Sequence, residues 1–306
     1  MQWSTSLITD KQIYLLLLAS VMALSFSAKK TQVFMPMYAW IASRVKSKRA
    51  VVAIISALSG ILPISGRASV SAGILDTIAP AEGEKRANYG VIDYLSTHHY
   101  YFWSPLEATV LVPMATLGIT YWQFMGRIWP LFLTAVIIIL YYIFVVLKED
   151  DIEIRVIKRA ETTSWKQDRK QIVSYANTLM FVAIIIIVGN IVKANFDTIN
   201  SWVESAHNNG LLIFVVIAGF VASFALGSSA KFAGFTALST AVYGIEYLPL
   251  FFAVDYAGYM LSPAHKCMVI SKSYFGTPLK QQYKAIAALI LPIVLVGILL
   301  TIGLTT

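Results

Sequence analysis

Long apolar runs at Leu131 to Leu147, Ile172 to Val192 and Ala285 to Leu304 decide the solvent in which this chain folds. They approach or reach the roughly 20 residues that an α-helix needs to cross a hydrocarbon core of about 30 Å. The 306 residues are 58% hydrophobic and 13% charged, whereas soluble domains carry about 25% charged residues. A single soluble core does not account for that balance. The expected fold class is an all-α polytopic membrane protein, multi-pass in the cytoplasmic membrane, with the lipid bilayer as its first partner.

The formal net charge of +8 would suit nucleic acid, but the basic residues sit in short segments between apolar runs and are better read as topology signals. Nucleic acid is excluded as a partner. Cationic stretches at Lys29 to Arg49, around Lys85 and Arg86, at Lys148 to Lys170 and at Lys266 to Lys284 belong in the cytoplasm. The linker Asn195 to Gly210 carries Asp197 and Glu204 but no Lys or Arg, and belongs outside. These placements run Gln12 to Phe26 inward, Pro105 to Tyr121 outward, Trp129 to Leu147 inward, Ile172 to Val192 outward, Leu250 to Ser271 inward and Ala285 to Leu304 outward. The first apolar run, preceded only by Lys11, reads as a retained span rather than a signal peptide. The strips Thr31 to Ala42 and Glu82 to Tyr100 are too short or too mixed to span, and read as interfacial helices with aromatic anchors.

Val51 to Pro80 is apolar but holds Gly60, Pro63, Gly66 and Gly73 among Ser65, Ser69 and Ser71, and Leu211 to Gly244 holds Gly219, Gly227, Gly234, Ser228 and Ser229. Irregular backbone at membrane depth survives only buried in protein or lining a wet cavity, so both read as re-entrant or broken hairpins.

A duplication organises these parts. Trp103-Ser104-Pro105-Leu106-Glu107 recurs as Leu261-Ser262-Pro263-Ala264-His265, and the same ungapped register pairs Gly118 with Gly276 and Gln123 with Gln281. Each half reads span, interrupted hairpin, Ser-Pro helix, closing helix, in opposite orientation. The expectation is two inverted-topology repeats, 1–147 and 172–306, joined by a cytoplasmic linker at 148–171. In transporters, broken helices at matching positions of such halves mark the binding site. Shared membrane composition is the plainer source of such likeness, but it does not explain the matching order of elements.

The first hairpin holds Ser65-Gly66-Arg67-Ala68-Ser69 and the second Gly227-Ser228-Ser229-Ala230-Lys231. A cation at membrane depth costs several kcal/mol unless paired or wet, so Arg67 and Lys231 beside Ser65, Gly66, Ser69, Ser228 and Ser229 form a candidate site for a small anion. Arg67 could clamp a carboxylate, phosphate or sulfate in bidentate fashion, with Lys231 as a point charge. The alternative is that either cation snorkels to an interface or pairs with Asp76 or Glu107. Glu107 and His265 hold equivalent places after the Ser-Pro pairs, and Asp255 lies within an apolar run; the three are candidates for H⁺ or Na⁺ coupling. Against this, His265 adjoins Lys266 and could be a solvated cap, and Asp255 could stand at an external mouth near Glu246. Asn177, Asn190 and Asn195 could bond across helices or coordinate a cation, with packing the commoner role. His98 and His99 beside Tyr100, Tyr101, Phe102 and Trp103 read as an aromatic interfacial belt without metal-ligand spacing. The single cysteine, Cys267, excludes an internal disulfide and a cysteine-based metal cluster, and reads as a packing residue. No metal or cofactor is expected beyond a transported Na⁺ or H⁺.

Enzyme signatures are missing: there is no phosphate-binding Gly-rich loop, no G-x-S-x-G elbow and no H-E-x-x-H. The run Asp255-Tyr256-Ala257-Gly258-Tyr259-Met260-Leu261-Ser262-Pro263-Ala264-His265-Lys266-Cys267-Met268-Val269-Ile270, followed by Tyr274-Phe275, resembles a signature of a prokaryotic membrane family of unknown function. That family is grouped with the ion transporter superfamily of sodium/proton antiporters, gluconate and lactate permeases and dicarboxylate carriers. Leu62-Pro63-Ile64-Ser65-Gly66, and Asn88-Tyr89 through Phe102-Trp103-Ser104-Pro105, are similar to its hairpin and aromatic segments. The resemblance implies paired hairpins at a substrate site, a homodimer, and cation-coupled carriage of organic anions. This chain departs from it by its shortness and by its hairpin cations. The expected function is a secondary transporter of a small anionic substrate, not an enzyme. A lipid-phosphate flippase and a non-transporting assembly subunit are the alternatives.

Overall fold

The computed structural model describes residues 35–61, 67–76, 78–80, 83–148, 165–195 and 210–305, with a few helical positions between 15 and 27. Among these residues the only regular structure is helical. The first half builds α1 (Met35–Arg44), α2 (Lys48–Ile61), α3 (Arg67–Asp76), α4 (Glu84–Ser96), α5 (Ala108–Leu117) and α6 (Tyr121–Tyr141). A 3-10 turn at His99–Phe102 follows α4, and a π turn at Tyr142–Val146 prolongs α6. The second half builds α7 (Trp165–Ala194), α8 (Leu211–Leu226), α9 (Ser229–Tyr243), α10 (Leu248–Leu261), α11 (Lys266–Phe275) and α12 (Leu279–Thr305). The expected span Gln12 to Phe26 and the linker break at 196–209 fall largely or wholly outside the described residues.

Both interrupted segments are pairs of helices packed on each other, α2 with α3 and α8 with α9. In the second pair the break is at Gly227, whose φ of +53° stops α8 in the left-handed region, and extended Ser228 holds the position just before α9. Glycine alone adopts that backbone without the Cβ penalty of about 1–2 kcal/mol. In the first pair the break, residues 62–66 with Pro63, Ser65 and Gly66, lies outside the described residues, as do the side chains of Arg67 and Ser69.

The Ser-Pro segments are not spans. α10 stops at Leu261 and Ser262 is extended, because the residue before a proline is pushed out of the helical region. Leu250 to Ser271, expected as one helix, is therefore two, and Pro105 to Tyr121 holds only the ten residues of α5. At about 1.5 Å per residue the ten-residue helices α5 and α11 measure about 15 Å, half a hydrocarbon core. The two turns are built alike. Ser104 Oγ accepts the amide of Leu106 at 3.3 Å, and Ser262 Oγ accepts that of Ala264 at 3.2 Å. Glu107 and His265 then hold the extended N-cap positions, and Gly118 (φ +66°) and Gly276 (φ +63°) end the two ten-residue helices.

Each short helix leads into a long one. α6 starts from a capping box in which Thr120 Oγ1 accepts from the Gln123 amide at 3.3 Å and the Thr120 amide donates to Gln123 Oε1 at 2.8 Å. Tyr121–Val146 and Leu279–Thr305 are long and apolar enough to cross a membrane, and only 28% and 39% of their most apolar stretches are buried inside the protein. Trp129, Leu133, Ile137 and Leu140 on α6, and Leu291, Leu295, Leu299 and Ile302 on α12, face outward. α7 begins at Trp165, ahead of the expected span, so the end of the expected linker, residues 165–171, is helical.

The halves interlock. α9 of the second packs on α5 of the first, and α3 of the first packs on α11 of the second; likewise α10 meets α6 and α4 meets α12. Residues 91–102, expected in an interfacial aromatic helix and belt, are instead core: Tyr94, His98, Tyr100, Tyr101 and Phe102 are all buried. Arg86 ties this region down. Its guanidinium pairs with Asp76 and donates to the carbonyls of Pro80 at 3.0 Å and Tyr274 at 2.7 Å, joining the ends of α3 and α11. Arg86→Met should lower the unfolding free energy in detergent by about 1.5–3 kcal/mol, the range for hydrogen bonds to a charged group. Arg86→Lys should recover only part of the loss, because one ammonium cannot reproduce the fork. An unchanged denaturation curve for Arg86→Met would refute this role.

Candidate functional site

The second hairpin break rests directly on the second Ser-Pro turn. A Cβ at Gly227 would come within 2.8 Å of Ser262 Oγ and 2.9 Å of the Ala264 carbonyl carbon, so only a glycine allows the two breaks to meet. Ser228, Ser229 and Lys231 are half-buried at the start of α9. Phe232 follows them into the core, its ring 5.4 Å from Tyr259 and 6.3 Å from Tyr101. The free N–H groups of a first turn, with the positive end of the helix dipole, favour negative charge there.

The Ser-Pro turn also delivers His265, which is buried rather than solvated. Its Nδ1 lies 2.9 Å from the Tyr94 hydroxyl and its Nε2 lies 3.0 Å from His98 Nε2. Tyr94 OH also donates to the Met260 carbonyl at 2.7 Å, and His98 Nδ1 bonds the Tyr94 carbonyl one turn back. Tyr259 packs against His265 with ring centroids 4.1 Å apart and the rings tilted by 33°, and its hydroxyl meets that of Tyr101 at 2.8 Å. Cys267, two residues beyond His265, brings its sulfur into this group. Polar residues from both halves thus meet in an aromatic-walled centre. Each buried hydrogen bond is worth about 0.5–1.5 kcal/mol net, but leaving one partner unpaired costs more, which fixes the arrangement.

The remaining expected residues fall around this centre. Asp255 is buried on α10, where its carboxylate accepts from Thr236 of α9 at 2.7 Å and lies against Gly219 of α8, and so does not stand at an exposed mouth. Glu107 is bonded by the Tyr100 hydroxyl. Asp76 is paired with Arg86, so the two carboxylates considered as partners for Arg67 and Lys231 have other partners. α3 packs on α2, α4 and α11 whereas α9 packs on α5, α7, α8 and α10, so the helices that carry Arg67 and Lys231 keep different neighbours. The Asn195 amide donates to the Ile191 carbonyl of its own helix at 2.7 Å rather than across helices.

Two groups escaped the sequence reading. The sequence places His98 in a belt and gives Asp93 no role, yet Asp93 is fully buried and accepts from Ser271 of α11 at 2.5 Å. The signal was present: Asp93, Tyr94, Thr97 and His98 form one polar stripe at i, i+1, i+4 and i+5 of an amphipathic helix, and such a stripe on a buried helix needs a polar partner. Chemically the centre offers two imidazoles, three phenols and a thiol in a dry setting, which can hold a cation or pass a proton. Comparison with protein-family models, with curated proteins and with solved structures gives no match to this chain.

Proposed function

We propose that this chain is a multi-pass protein of the cytoplasmic membrane that carries a small anion of the carboxylate, phosphate or sulfate class by alternating access, coupled to H⁺ or Na⁺. The observation that carries this reading is the meeting of the Gly227 break with the Ser262–Ala264 turn at a buried polar centre. Broken helices facing one another inside a protein are the usual construction of a transporter binding site, and the half-helix start at Ser228 to Lys231 supplies its positive potential. The outward-facing apolar sides of α6 and α12 support the bilayer as their surroundings, since a soluble core helix would be mostly covered. The exchange of α3 and α9 between the Ser-Pro helices of opposite halves supports two repeats working as one unit. The coupling residues on this reading are Asp255 and His265, with Glu107 held by Tyr100.

The test is thermal stabilisation of the purified protein across dicarboxylates, sugar acids, phosphate and sulfate, followed by uptake of any stabilising anion into proteoliposomes. One class is expected to stabilise, and Lys231→Ala is expected to reduce its uptake about tenfold or more, the loss of one charge-assisted contact of about 1.5–3 kcal/mol. If no anion stabilises and Lys231→Ala transports whatever the wild type does, the anion site is wrong. Uptake indifferent both to ion gradients and to Asp255→Asn would remove the coupling.

A further inference from the structure

We propose that His98, His265 and Cys267 form a binding site for a late first-row divalent metal ion of the zinc class. Three ligand atoms brought to one place carry the inference, and the hydrogen bonds around the two rings orient two of them. The partner of His98 Nδ1 on the main chain is the Tyr94 carbonyl, which can only accept, and the nearby Thr97 hydroxyl, 3.2 Å away, already donates to the Asp93 carbonyl at 2.7 Å. His98 therefore carries its proton on Nδ1. His265 Nδ1 meets the Tyr94 hydroxyl at 2.9 Å, and that hydroxyl gives its proton to the Met260 carbonyl at 2.7 Å, so His265 also carries its proton on Nδ1. The two Nε2 atoms, the ones a metal ion would take, then face each other across 3.0 Å.

The third donor selects the kind of cation. The ligand atoms of His98, His265 and Cys267 all lie within 4.8 Å of one another. A tetrahedral zinc ion, with bonds of about 2.0–2.1 Å to nitrogen and about 2.3 Å to sulfur, sets its ligand atoms about 3.3–3.6 Å apart. The two nitrogens need to part by a few tenths of an ångström and the thiol to close by about 1 Å. Imidazole and thiolate suit zinc, cobalt, nickel and copper rather than sodium, magnesium or calcium, which take oxygen. The Tyr94 carbonyl and hydroxyl orient the two rings through Nδ1, the arrangement that fixes metal-bound histidines. Three protein ligands leave one position open for water or a further ligand.

The site draws on both halves, His98 following α4 and His265 with Cys267 opening α11. A bound ion would therefore staple the halves together, which makes zinc a regulator of any motion between them. This inference does not rest on the anion reading, because it is read from metal content and spectra and not from transport.

Chelator-stripped protein in detergent, equilibrated with Zn²⁺ and freed of excess, is expected to hold one ion per chain and to resist heat better than the stripped form. Co²⁺ in its place is expected to show the strong thiolate-to-metal charge-transfer absorption. Cys267→Ala should abolish that absorption, His98→Gln should weaken Zn²⁺ binding at least a hundredfold, and Tyr94→Phe should weaken it about tenfold through ring orientation. Cys267 is only half-buried, so Cys267→Ala keeps the fold and decides the matter even if the other variants do not fold. Failure of the wild type to retain Zn²⁺, or equal Zn²⁺ affinity in Cys267→Ala, would overturn the proposal and leave a shared proton as the occupant of the histidine pair.

Discussion

Gly258→Leu is expected to prevent stable assembly of the second half, giving protein that aggregates in detergent or loses more than about 3 kcal/mol of unfolding free energy. The reason is how closely α10 is held between its neighbours. A Cβ at Gly258 would run into the Phe220 carbonyl of α8 and lie 3.2 Å from the Phe224 nitrogen, both main-chain atoms that cannot turn aside. On the other flank, Gly297 of α12 approaches α10 so closely that a Cβ there would sit 2.7 Å from the Ala253 Cβ and 2.9 Å from the Pro249 carbonyl oxygen. Lipid tails are as apolar as leucine, so helices inside a bilayer gain little from hydrophobic burial. They associate through close backbone approach, which small residues permit. Overpacking a well-fitted core costs about 1–3 kcal/mol, and a leucine against main chain on a helix confined from both sides exceeds that range. Gly303→Leu is the control, because a Cβ there has nothing within 4 Å. Equal melting of Gly258→Leu and Gly303→Leu would show that α8 and α10 do not meet as described.

Gly227→Ala should be far more damaging than Gly276→Ala, although both glycines end helices with left-handed backbone, at φ +53° and +63°. A Cβ at Gly276 has nothing within 4 Å, so that substitution bears only the left-handed penalty of about 1–2 kcal/mol. At Gly227 the same methyl group also presses on Ser262 Oγ and on Ala264 Cβ at 3.1 Å. The steric part, about another 1–3 kcal/mol, falls on the turn that places His265. The difference between the two variants, measured as unfolding free energies in detergent, isolates the contact between the two breaks. Gly227→Ala should also weaken Zn²⁺ binding, while Gly276→Ala should leave it close to wild type. Equal effects of the two variants would mean that the breaks are not in contact.

The register that pairs Ser104 with Ser262 and Gly118 with Gly276 was legible because serine, proline and glycine act locally: each sets its own backbone and its neighbours'. The structure places matching turns, caps and ten-residue helices at those positions. The same proline marks where Leu250 to Ser271 must break, a local rule that overrides the continuous hydropathy of the run. The histidine pair was not legible. His98 and His265 are 167 residues apart, and nothing near either names the other. The aromatic strip 91–102 misled for a related reason. Tyrosine and tryptophan suit a membrane interface and a packed core equally, since each combines a large apolar body with one polar atom that needs a partner. Only tertiary contacts such as Tyr94 with His265 distinguish the two settings. Asp255 was legible as a charge in an apolar run, but its partner Thr236 sits on another helix and was not.

Tyr101 and Tyr259 stand 158 residues apart, at the same place in the register that relates Ser104 to Ser262, so their hydroxyl bond is one position meeting its own counterpart. The bond ties the segment ahead of one Ser-Pro turn to the segment ahead of the other, so a distance between spectroscopic labels on the pair reads directly whether the two segments stay together. Labels at the ends of α3 and α11, which Arg86 joins, read the same for a second contact between residues far apart in the chain.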